Sequence, residues 1–149
     1  RRFLMEKFDW IVVANGSQAK ILEKPHSAAK DWTEVERLIY PDIRVHGSKL
    51  DGDARGHTIS GRRGLAPRQE LKEYHHHKFC KLISDKLTEG AISARVIKIT
   101  IYASAQMLGE LLKQTDDVAK KLIGHTHAID LTALPLHDLN KRFREEFAV

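Results

Sequence analysis

The sequence predicts an α/β domain built on a five-stranded mixed sheet, in which an antiparallel meander is followed by a parallel βαβ unit. Three observations carry this. From Ala94 to Ala103, Ile97, Ile99, Ile101 and Ala103 alternate onto one face, and Val96, Lys98, Thr100 and Tyr102 take the other. That β-branched alternation is the pattern of a central strand. Ser104 then changes the period, because Leu108, Leu111 and Leu112 follow at helical spacing and a serine hydroxyl can cap the first turn. Past this helix, expected over Ser104 to Gln114, the apolar stretch Leu122 to Ile129 supplies another strand. Strand, helix and strand then form a right-handed unit with parallel strands.

The meander precedes it. Trp10 to Ala14 and Ala19 to Leu22 flank Asn15-Gly16-Ser17, and Asn-Gly is a strong hairpin signal because both residues tolerate positive φ. Thr33 to Tyr40 reads as a third strand that Pro41 ends. A long helix is expected from Pro67 to Glu89, with proline at its first position and Gly90 at its C′ position. Leu71, His75, Phe79, Leu82, Ile83 and Lys86 share its inward face. The last helix, Pro135 to Phe147, turns Leu136, Leu139, Phe143 and Phe147 inward at spacings of three and four.

Between the meander and the long helix, residues 41–66 hold five glycines and almost no apolar periodicity. A stretch this long inside a compact domain is either functional or disordered. Arg44, Lys49, Arg55, Arg62 and Arg63 outnumber Asp51 and Asp53 there, and Arg68 follows at the helix start. The segment reads as a flexible basic arm, either a nucleic-acid contact or a solvated surface loop.

Composition sets the bounds. A chain of 149 residues with 42% hydrophobic content fits one globular domain over residues 1–149. The net charge of +5 favours a polyanionic partner and serves solubility equally well. The single cysteine, Cys80, excludes an intrachain disulfide and sits in a helical pattern, as a small packed residue in a reducing compartment would. Arg1-Arg2 lead into no apolar core of a signal peptide, and no run is long enough to span a membrane, so a cytoplasmic location is expected.

The histidines raise the question of a metal. His75, His76 and His77 are adjacent on a helix and so point in three directions, while His57, His125 and His127 form no HExxH or Cys/His pattern. Neither metal nor any other cofactor is expected. Ser17 and Ser104 fall in a turn and a cap, where a hydroxyl serves the backbone rather than a triad. The carboxyl ends of parallel strands border the crevice in which α/β sheets bind ligands. That leaves Asn15, Gly16 and Ser17, with Ser104 to Gln106, as a small-molecule candidate.

Trp10-Ile-Val-Val-Ala-Asn-Gly16, the Phe79-Cys80 pair, Ala103 to Leu112, and Ile129 to Leu139 together resemble the bacterial family named host attachment protein. The resemblance implies a role in attachment to host cells. The order of elements is also similar to the middle domain of archaeal and eukaryotic peptide chain release factors and of Pelota, a ribonuclease-H-like sheet. In those release factors a basic, glycine-rich loop carrying Gly-Gly-Gln precedes a long helix and enters the ribosome. Ser60 to Glu70 is similar in position and composition, but it lacks Gly-Gly-Gln, and Gln69 stands after Pro67 on the expected helix. A ribonuclease-H-like sheet would also need converging carboxylates to hold two metals. The strands Trp10 to Ala14 and Ala94 to Ala103 carry none, with Asp9 expected to lie before the first, leaving Glu110 and Asp130 alone. The expectation is a non-catalytic binding module for RNA or the ribosome, or else a protein-interaction factor in attachment. The oligomeric state stays open.

Overall fold

The computed structural model describes residues 6–40 and 65–147. The expected arm, with Arg44, Lys49, Arg55, Arg62 and Arg63, lies outside the described residues. Strands β1 (Phe8–Ala14), β2 (Gln18–Pro25) and β3 (Thr33–Ile39) precede the long helix α1 (Leu65–Ile92). Then follow β4 (Val96–Ala103), α2 (Ala105–Gln114), the single turn α3 (Asp117–Lys120), β5 (Ile123–His127) and α4 (Leu136–Glu146). The sheet order is β3-β2-β1-β4-β5. β1 pairs antiparallel with β2, as β2 does with β3, whereas β1–β4 and β4–β5 are parallel. The mixed five-stranded sheet is therefore the expected one, and β4 stands inside it.

Each face buries its own core. Val12, Ala14, Ala19, Ile21, Ile99, Ile101 and Ala103 meet Phe79, Cys80, Ile83 and Leu87 of α1 and Met107 and Leu111 of α2. On the opposite face Ile11, Val13, Leu22 and Tyr102 meet Trp32, Leu131, Leu139 and Phe143. Fully burying one such large side chain stabilises the fold by about 1.5–3 kcal/mol. This two-sided burial explains why β1 reads as an unbroken apolar run rather than an alternating one. Cys80 lies 3.5 Å from the Met107 sulfur, and burial pushes its thiol up to about 12, so it packs as a small inert residue.

Several local expectations are corrected. The β1–β4 ladder shifts between Phe8 and Asp9, which face Val96 and Lys98, so Ile97 is the extra residue of the strand. Val96 consequently enters the core beside Ile99, and Ile97 is 36% exposed. Leu82 is 46% exposed, while Cys80 and Leu87 take the inward face it was expected to share. The helix does not stop at Gly90. Trp10 lies over that position, where a Cβ would come within 2.5 Å of its ring, so the glycine is there for close packing. The chain instead leaves the helix at Ala94, with φ 64°, and among the described residues no other non-glycine and no glycine has a positive φ.

The Asn15-Gly16 turn is therefore not made by left-handed residues; the Asn15 carboxamide oxygen accepts from the backbone N–H groups of Ser17 and Gln18 at 2.9 and 3.0 Å. Ser104 does precede α2, but its hydroxyl makes no capping bond. β5 is shorter than expected and its centre, Gly124 to Thr126, is exposed, because it forms the edge of the sheet. On α4, Leu139 and Phe143 are buried, Leu136 is half-buried, and Phe147 is exposed. Phe147 still lies against Trp32, with ring centroids 6.2 Å apart.

Candidate functional site at the carboxyl ends of the parallel strands

β1, β4 and β5 run parallel, so their carboxyl ends open on one rim. The Asn15 turn stands there after β1, Ser104 after β4, and the loop holding Asp130 and Thr132 after β5. Ser104 N–H donates to the Ala14 carbonyl at 3.3 Å, which sets the first two side by side.

The Asn15 side chain is the hub. Its amide donates to Asp130 Oδ2 at 3.0 Å and to Thr132 Oγ1 at 2.9 Å, while its oxygen holds the turn. Asp130 Oδ1 accepts from Thr132 N–H at 2.9 Å and from its hydroxyl at 2.6 Å. Burial raises the Asp130 carboxyl, but the bonds from Thr132 and then Asn15 outweigh it and hold the group below its ordinary value. Both polar ends of Asn15 and both oxygens of Asp130 are thus engaged within the protein. The arrangement ties the first hairpin to the loop after β5, and the Ser17 hydroxyl joins it by donating to Asn15 Oδ1 at 3.3 Å.

Nearby, the buried Lys20 donates from its ammonium to the Leu134 carbonyl at 3.2 Å, which anchors the entry to α4. Tyr102 donates its hydroxyl to Glu146, which also pairs with Arg142 at 2.8 Å. Burial first, and the Glu146 carboxylate next, push the Tyr102 phenol far above its usual value. His127 stacks on the Tyr102 ring at 4.5 Å.

Of the two expected site groups, the small-molecule candidates lie among the described residues, and of the basic residues Arg68 alone does. Asn15, Gly16, Ser17 and Ser104 meet at the rim. Arg68 is exposed in the first turns of α1, with residues 68–78 exposed or half-buried before Phe79 enters the core. His75 is half-buried, edge-on to Tyr40 at 6.1 Å. His77 pairs with Glu110 at 2.7 Å and so ties α1 to α2. Among the described residues no group of three or more His, Cys, Asp or Glu could hold a metal ion.

A groove of about 420 Å³ lies at the other end of the sheet, lined by Trp10, Ile21, Val35, Lys86 and Arg95, among others. Its carboxylates are already occupied: Glu23 accepts from the Trp10 indole at 2.9 Å, and Glu36 and Glu89 each lie 3.9 Å from Lys86. Sequence reasoning missed Thr132 and Lys20, whose partners are more than a hundred positions away. No local signal marks Lys20, whereas Asp130-x-Thr132 has the spacing of an Asx turn, in which the Thr132 N–H and hydroxyl both bond Asp130 Oδ1.

Comparison with known proteins gives the chain its place. No curated protein matches it. Among solved structures it is similar to an archaeal translation termination factor, aRF1, at 12% identity and a TM-score of 0.51. The match covers 94% of this chain but 39% of that one, so what the two share is the fold of a part of the factor. No described helix is long and apolar enough to cross a membrane. The family described as "Protein required for attachment to host cells" matches residues 10–143, nearly the whole chain, and this protein belongs to that family.

Proposed function

We propose that this protein is a non-catalytic binding module that associates with RNA or the ribosome, acting in the cytoplasm. The observation that carries the reading is the exposed start of α1: Arg68, Lys72 and Lys78 stand where the helix has not yet met the core, directly after the basic sequence Arg44 to Arg63. Cations clustered before and along an exposed helix start suit a phosphate backbone. The fold shared with a part of a translation termination factor supports the reading, while the absence of Gly-Gly-Gln from the sequence argues against peptidyl-tRNA hydrolysis.

Phosphate binding weakens steeply with salt because counterions are released. The test is fluorescence anisotropy against short single-stranded and duplex RNA at several salt concentrations, comparing wild type with the Arg62→Ala/Arg63→Ala pair. Sequence-independent binding is expected, with a log–log salt slope reduced in magnitude by about 1 per arginine removed. An unchanged slope in the double variant, or no binding by wild type at low salt, removes this reading.

A second reading is a protein-interaction factor acting in bacterial attachment without nucleic acid. The family description favours it. Affinity capture from lysate with and without nuclease separates the two, since a protein partner survives nuclease and responds little to salt.

A further inference from the structure

β3 is an edge of the sheet, with no strand on its outer side among the described residues. Its pairing with β2 contains a bulge: Ile21 faces Glu36 and Leu22 faces Glu34, so Val35 is an extra residue. In a regular strand, residues three apart lie on opposite faces. The bulge undoes this. It turns Val35 and Glu36 together toward the α1 side, where both line the groove, and it leaves Glu34 and Arg37 on the other face. There Arg37 Nε and Nη2 donate to Glu34 Oε2 and Oε1 at 2.8 and 2.9 Å.

Backbone direction follows the same pattern. Tyr40 N–H donates to the Ser17 carbonyl at 2.9 Å, so by alternation Leu38 and Glu36 also bond inward to β2. Ile39, Arg37 and, past the bulge, Glu34 therefore aim their N–H and C=O outward. Val35 and Ile39 are 44% and 51% exposed beside them.

We infer that β3 is the interface of a symmetric dimer, in which it pairs antiparallel with β3 of a second copy and Glu34 stands opposite the partner's Arg37. Of the registers open to these three outward positions, this one alone sets unlike charges against each other, since Arg37 against Arg37 or Glu34 against Glu34 would repel. It also sets one bulge against the other. Two residues separate Glu34 from Arg37 on each strand, so the ladder runs through without a slip. A two-fold axis makes each contact occur twice, giving four alternating charges on one face. β5, the other edge, holds no Asp, Glu, Lys or Arg from Ile123 to His127 and offers no such match. The β3 ladder ends at Trp32, whose N–H and C=O are taken by Asn140. A contact this short gives a reversible dimer rather than a permanent one.

The experiment is sedimentation of the full chain over a concentration series reaching about 1 mM. Wild type is compared with Glu34→Arg, Arg37→Glu, the double reversal Glu34→Arg/Arg37→Glu, and an equimolar mixture of the two single variants, with circular dichroism confirming that each is folded. Wild type is expected to pass from monomer to dimer. Each single variant puts like charges opposite one another and should weaken association at least about 10-fold, whereas the mixture and the double reversal restore it. Amide exchange of wild type supplies a readout that needs no variant: Glu34 and Arg37 N–H should gain protection as concentration rises, while Leu38 N–H is protected throughout. Wild type that stays monomeric overturns the inference. So does a dimer that both single variants form as well as wild type, or one in which the Glu34 and Arg37 amides stay unprotected.

Discussion

Trp10 lies over Gly90 so closely that a methyl group at Gly90 would come within 2.5 Å of the indole ring. The strand's aromatic and the helix's bare backbone together set how near α1 comes to the sheet. Alanine would ordinarily favour a helix interior over glycine by about 1 kcal/mol, but here the added methyl must displace an indole that also donates to Glu23 at 2.9 Å. Gly90→Ala is therefore expected to destabilise the protein, by about 1–3 kcal/mol. Urea denaturation followed by Trp fluorescence measures it; a variant as stable as wild type would show that α1 can rise off the sheet without cost.

Asn140 is buried on the inner face of α4, where it both accepts from Trp32 N–H at 2.7 Å and donates to Trp32 C=O at 3.1 Å. Removing the carboxamide leaves two buried backbone groups unsatisfied. Asn140→Ala should cost about 2–4 kcal/mol, more than one hydrogen bond is normally worth. Thermal unfolding of the variant checks this, and a loss below about 1 kcal/mol would mean that water reaches Trp32.

The Asp130 carboxyl is held below its ordinary value of 3.8 in the folded protein. A carboxyl depressed in this way binds its proton less readily folded than unfolded. Its contribution is full above the unfolded value and is lost as pH falls through the folded one. Stability should therefore drop below about pH 4, and Asp130→Asn should show a shallower drop over that window. Parallel acid denaturation curves for the two proteins would place the pH dependence on other groups.

Ala94 adopts φ 64° where α1 gives way to β4. A left-handed conformation costs an L-residue with a Cβ roughly 1–2 kcal/mol, and glycine adopts it freely at some entropic cost. Ala94→Gly is expected to stabilise the protein by about 0.5–1 kcal/mol. The readout is a rise in the urea midpoint with an unchanged slope; a fall would show that the methyl has packing of its own.

The sheet and its topology were legible because they rest on patterns inside short windows. β4 alternates, Ser104 breaks the period, and Asn15-Gly16 separates two apolar runs. The errors came where a distant residue decides the local outcome. Gly90 reads as a stop by any rule of helix ends, and only the position of Trp10 explains why it lies inside α1. Nothing in the sequence marks Ala94 as the residue that turns left-handed. Ile97 changes face because the parallel ladder shifts opposite Phe8, which alternation within one strand cannot register. The rim was visible as a place, through the ends of β1 and β4. The ties among Asn15, Asp130 and Thr132 were not, since they join positions 115 and 117 residues apart.

That separation has a consequence for the time course of folding. The hairpin of β1 and β2 closes through a three-residue turn and can form within microseconds. β1 gains its other neighbour, β4, only after the whole of α1 has been accommodated, and the Asn15–Asp130 bond closes a loop of 115 residues. The long-range pairing carries the larger entropic penalty and so sets the overall rate. Refolding should therefore show early hairpin protection in pulsed hydrogen exchange, with the amides of β4 and β5 protected together in the slow phase.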